Sequence, residues 1–124
     1  MLIKSGHGVV VNALLALGFE CKYDGADLCL MQHVEAPYLL DVEVTSKLVT
    51  DQSSPASEAK PTDLAPALAW LFHQLGQVNC HLSSIDGEGG NRASFSRQDS
   101  YRSPGYRQDR IARVTVRARS ALAA

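Results

Sequence analysis

The stretch Tyr38–Lys47, YLLDVEVTSK, decides how the rest of the chain is read. Side chains alternate across a strand, so Leu40, Val42 and Val44 face one way while Asp41, Glu43 and Thr45 face the other. A strand apolar on one side and doubly acidic on the other is half solvated or lines a site. We expect it from Tyr38 to about Thr45, with Pro37 at its start.

Working outward, Val9 to Leu17 carries Val10, Leu14 and Leu17 at helical spacing, widened by Val11 and Leu15. Ser5 offers an N-cap, and Gly18 stands where a helix-terminating glycine belongs. So apolar a helix, over residues 8–17, is expected to pack on a sheet. Phe19–Tyr23, Asp24-Gly25 and Asp27–Gln32 follow as strand, turn and strand.

Beyond the decisive strand, Asp51–Pro61 (DQSSPASEAKP) has no hydrophobic period and is expected as a loop. Leu64, Leu68, Leu71 and Leu75 then fall at i, i+4, i+7 and i+11, which predicts a helix over 63–75, flanked by Trp70 and Phe72. Thr62 or Asp63 would cap it and Gly76 would end it. A strand is expected over Val78–Ile85. Residues 86–110 are rich in Gly, Ser, Arg and Tyr and are expected as a long, mobile loop. Inside them Arg97-Gln98-Asp99 returns as Arg107-Gln108-Asp109, and DGEGGNR (86–92) is expected as a flexible turn rather than a phosphate cradle. In Ile111–Arg119 Ala112, Val114, Val116 and Ala118 alternate with Arg113, Thr115, Arg117 and Arg119, which predicts a final strand.

The expected fold is α/β (or α+β): a single domain over residues 1–124, in αβββαβ order plus a C-terminal Arg-rich strand. A mixed sheet of four to five strands would carry the two helices. The 124 residues suffice for one core, and 45% hydrophobic with 20% charged residues is ordinary for a globular chain. No apolar run reaches the roughly 18 residues of a membrane span, and no cleavage site follows Leu17. A cytoplasmic protein with reduced cysteines is expected.

The near-neutral total conceals a division. Residues 1–91 hold four lysines, no arginine and eleven acids, a net −7, whereas 92–124 hold eight arginines, no lysine and two aspartates, a net +6. Such a tail folds back on its acidic body, meets an anion, or does both. Arg92, Arg97, Arg102 and Arg107 recur every five residues with Phe95, Tyr101 and Tyr106 between them. Guanidinium pairs with phosphate and aromatic rings stack on bases, so this composition suits a nucleic-acid backbone, and equally an acidic protein surface.

Other chemistry has less to stand on. Cys21, Cys29, Cys80 and the histidines His7, His33, His73 and His81 contain no C-x₂-C pair, and Cys80 and His81 are adjacent on opposite sides of a strand. With a three-residue hairpin loop Cys21 and Cys29 would lie opposite one another. No G-x-S-x-G motif is present.

The order helix, hairpin with Asp27, strand with Glu43, helix and strand over residues 6–85 resembles the restriction-endonuclease-like, or PD-(D/E)XK, nuclease superfamily. The resemblance implies that Asp27 and Glu43 hold a divalent metal such as Mg²⁺, which activates water. Thr45 stands at the position of the family's lysine, so Lys47 or Lys22 would have to supply the ammonium, and Val9–Val11 lie where a first-helix Glu would fall. With two of four signature positions kept, the function expected is a small binding protein on a degenerate nuclease-like fold. It would engage nucleic acid or a nucleic-acid-handling complex through Arg92, Arg97, Tyr101, Arg102, Tyr106, Arg107, Arg110, Arg113, Arg117 and Arg119, and need no cofactor. A phage-type or other mobile-element inhibitor of a host defence such as a CRISPR complex is its specific form. Two alternatives stay open: a Mg²⁺-dependent nuclease using Asp27 and Glu43, and a self-associating subunit, a homo-oligomer whose 111–119 strand pairs with another copy.

Overall fold

The structure, a computed structural model, describes residues 8–25, 27–34, 39–48 and 59–119, with side chains except at 48, 100–103 and 106–108. The elements run α1 (Gly8–Ala16), β1 (Glu20–Asp24), β2 (Leu28–His33), β3 (Leu40–Leu48), α2 (Pro66–Gly76), β4 (His81–Asp86), β5 (Arg92–Ser103) and β6 (Tyr106–Ala118). Ser5, His7 and nearly all of the expected loop 51–61 lie outside the described residues.

The architecture is α+β, with two helices on a six-stranded sheet of order β1-β2-β3-β6-β5-β4. Every pairing is antiparallel, which corrects the expected mixed sheet of four to five strands. The order is αβββαβββ, because the expected loop 86–110 holds the end of β4, all of β5 and the start of β6. A two-residue turn at Pro104-Gly105 joins the last two strands, with Ser103 paired to Tyr106. DGEGGNR does not stand free either. Gly90 is buried, its carbonyl accepts the Ala65 N–H at 2.9 Å, and a β-carbon there would lie 1.9 Å from the Asp63 carbonyl oxygen.

One face of the sheet is buried and the other is open. Cys29, Met31, Leu40, Val42, Val44, Ala93, Phe95, Ala112, Val114 and Val116 form the buried face. Val10, Val11 and Leu14 of α1 and Leu68, Leu71 and Leu75 of α2 close over it in a single core. Leu64 joins that core from outside the helix, because α2 begins at Pro66 with Ala65 as its N-cap; Thr62 and Asp63 belong to a preceding 3₁₀ turn instead. Each fully buried aliphatic side chain contributes about 1.5–3 kcal/mol.

The two halves repeat one plan, and the strand order is the same from either edge. Helix α1 ends in a Schellman motif: Gly18 takes φ +99°, Phe19 N–H reaches the Leu14 carbonyl and Gly18 N–H the Leu15 carbonyl. Helix α2 runs through Gly76 and ends the same way, with Asn79 at φ +58°, Cys80 N–H on Leu75 and Asn79 N–H on Gly76. Asn tolerates the left-handed conformation better than other L-residues, so the terminator is Asn79 and not the expected Gly76. Four residues past each terminator the outer strand slips register, at Lys22 in β1 and Ser83 in β4. The halves meet along β3 and β6. Both sides of residues 110–117 are therefore occupied, by β3 and β5, which closes the expected pairing of the 111–119 strand with a second copy.

Candidate anion-binding face and ribbon

The open face is laid out in rows by the register. One row runs Gln32, Asp41, Arg117, Arg92, Asp86; the next Leu30, Glu43, Thr115, Ser94, Ser84; a third Leu28, Thr45, Arg113, Ser96, His81. The middle of this face carries the short hydroxyl side chains of Thr115, Ser94 and Ser84 beside Glu43, and the rows on either side hold Arg92, Arg117 and Arg113 together with Asp41 and Asp86. A shallow cleft of about 380 Å³ opens on it, lined by Lys22, Leu30, Gln32, Asp41, Glu43, Arg92, Thr115 and Arg117 among others.

The sequence placed all the arginines in one class; the structure divides them. Arg97 points to the helix side, 19% exposed, where Nε meets Asp99 Oδ1 at 2.8 Å and Nη1 donates to the Val78 carbonyl just past α2. Arg110, 20% exposed, donates to Ser46 Oγ at 2.9 Å and to the Ser46 carbonyl at 3.3 Å. Arg119 donates to the His33 carbonyl at 3.0 Å, and its buried Nε is held 3.2 Å from Asp41 Oδ1 by charge without a hydrogen bond. These three are tied into the fold. Arg92, Arg113 and Arg117 are exposed, and Arg117 lies 3.8 Å from Asp41, a solvated pair of small energetic weight.

Asp41, one of the two acids on the open side of the decisive strand, is the polar hub of this face. It accepts from Gln32 Nε2 at 2.8 Å and is flanked by Arg117 and Arg119. Its alternation was visible, but its ladder partner Arg117 depends on a register no local pattern announces.

Beyond Leu48↔Arg110 on one side and His81↔Ser96 on the other, β5 and β6 pair only with each other among the described residues. They form a two-stranded ribbon that leaves the sheet, with Tyr101 opposite Gln108, Arg102 opposite Arg107 and Tyr106 opposite Ser103. At about 3.3 Å per residue it extends about 13 Å past Asp99. The side chains of these four Arg and Tyr positions lie outside the described residues.

The two acids that the nuclease resemblance implies are not brought together. Asp27 is 78% exposed and 3.7 Å from Arg110, whose Nε bonds Ser46 on the buried face of β3; Glu43 lines the cleft on the open face. Lys47 shares the open face but follows Glu43 by four residues of strand, about 13 Å along it. Among the described residues no three His, Cys, Asp or Glu cluster so as to hold a metal ion. Cys80 is buried beside Arg97 and Asp99, and burial pushes its thiol up to about 12.

Among the described residues no helix is long and apolar enough to cross a membrane. Comparison with family models, with curated proteins and with solved structures finds no match to this chain.

Proposed function

We propose that this protein is a nucleic-acid-binding module, using the open face of its sheet as a floor and the β5–β6 ribbon as a reaching arm. The observation that carries the reading is the single β5–β6 ladder, which has no register shift. Along it Arg92↔Arg117, Ser96↔Arg113 and Arg102↔Arg107 fall at even steps, so five arginines are strung over ten residues. That is a span of about 33 Å, comparable to one turn of duplex. Arg92 and Arg117 stand directly opposite one another, each with an acid on its other side (Asp86 and Asp41), so two guanidinium groups meet on the open face at one level of the ladder. A two-stranded ribbon fits the major groove, and guanidinium forks suit phosphate oxygens.

The test is salt. If all five arginines meet phosphates, the affinity for duplex falls with a log–log slope of about −4.5, and for a single strand about −3.5. Between 50 and 200 mM salt, duplex affinity then drops about 500-fold. Replacing Arg102 and Arg107 with Gln reduces the duplex slope by about 1.8 while leaving the melt unchanged. Fluorescence anisotropy with labelled duplex and labelled single strand reads this directly. Binding that ignores salt points to a protein partner and overturns the reading. Adding Mg²⁺ or Mn²⁺ to the same samples tests the nuclease alternative: cleavage that Glu43→Ala abolishes would make the protein an enzyme.

A further inference from the structure

Cys21 of β1 and Cys29 of β2 have their sulfur atoms 3.6 Å apart. They are not ladder partners, since Cys21 faces Met31 and Cys29 faces Asp24. The contact runs diagonally across the ladder, next to the point where the register slips at Lys22. Cys21 is half-buried on the outermost strand; Cys29 is fully buried in the core. The third cysteine, Cys80, leads into β4, which forms the other edge of the sheet.

We propose that Cys21 and Cys29 form a redox modification site, at which a small-molecule disulfide of the glutathione class installs a reversible intramolecular disulfide. The Cys21 thiolate attacks one sulfur of oxidised glutathione, the S–S bond breaks, and one glutathione thiolate leaves and takes up a proton. The Cys29 sulfur then displaces the second glutathione from Cys21, and the departing glutathione thiolate takes up the proton that Cys29 gives up. Both protein thiols are oxidised and one glutathione disulfide is reduced to two thiols, so atoms and electrons balance.

The order of attack follows from the surroundings. Burial first, and then the hydrogen bond with Cys21, push the Cys29 thiol up to about 12, so it is a poor opening nucleophile. Capping Cys21 removes that hydrogen bond and leaves Cys29 beside a good leaving group. Closing 3.6 Å to the roughly 2.05 Å of a disulfide asks for an approach of about 1.5 Å. Among the described residues β1 has one neighbour, and its register slips next to Cys21, so this is where the sheet can give.

The experiment treats the native full chain with graded mixtures of oxidised and reduced glutathione, quenches with an alkylating agent, and measures intact mass and cross-linked peptides. The wild type is expected to lose two hydrogens, with Cys21 joined to Cys29 and Cys80 alkylated only after denaturation. Dithiothreitol restores the original mass. Cys29→Ala stops at one glutathione adduct on Cys21. In case that core substitution fails to fold, Cys21→Ser is the second variant, and it is expected to slow modification by at least about tenfold. A stable adduct on wild-type Cys21, or a cross-link that forms only in urea, overturns the proposal. So does Cys80 reacting as fast as Cys21.

Discussion

Replacing Arg97 by Ala separates an arginine that holds the fold from one that stands on the open surface. The Arg97 side chain is 19% exposed and Asp99 14%, their contact is 2.8 Å, and the guanidinium also covers the Val78 carbonyl. Truncation leaves a largely buried carboxylate and a carbonyl without their donor. Hydrogen bonds to charged groups contribute about 1.5–3 kcal/mol each, and breaking a buried pair costs about 3–5 kcal/mol, so partial exposure sets the loss at about 2–4 kcal/mol. At about 2.1 cal/mol/K per residue, 124 residues give an unfolding entropy of about 260 cal/mol/K. The melting temperature should therefore fall by about 8–15 °C. Arg113→Ala, on the open face, should shift it by less than about 2 °C, since exposed substitutions stay within about 0.5 kcal/mol. Circular dichroism melts of the two variants side by side are the assay. Equal shifts would refute the division of the arginines into structural and surface groups.

Leu71 is fully buried in the core, so Leu71→Asp places a carboxylate among aliphatic side chains. That exceeds a typical stability of about 5–15 kcal/mol once cavity and charge combine, and the far-ultraviolet spectrum should be that of an unfolded chain at 25 °C. Gly90→Ala puts a methyl group against the Asp63 carbonyl at φ +70°, and should lower the melting temperature by about 8 °C or more. An unchanged melt there would mean that the turn at 88–90 does not pack on the chain before α2.

What could be read from residues alone was what repeats. The leucines 64, 68, 71 and 75 are all buried, and the alternation of Leu40, Val42 and Val44 against Asp41, Glu43 and Thr45 is the one observed. Strand β5 escaped because only Ala93 and Phe95 lie under the helices. Farther along, the strand becomes a ribbon, nothing selects apolar residues, and Arg97–Ser103 looks like loop although Pro104-Gly105 signals a turn. The side taken by Asp27 was hidden for another reason. Leu28, Cys29, Leu30 and Met31 are all apolar, so no pattern says which pair faces in; Cys29 and Met31 do. The duplication of halves is masked in the same way, since Gly18 and Asn79 share a backbone conformation and not a side chain.

The slipped residues at 22 and 83 bear on how these molecules behave when crowded. An open sheet has two flanks, each a row of amide donors and carbonyl acceptors that a neighbour's strand could extend into a fibril. In this chain each flank is interrupted once, at equivalent points, so an incoming strand meets a broken row and added local twist. Among the described residues the sheet has six strands and two free flanks, and concentrated solutions should resist edge-to-edge growth.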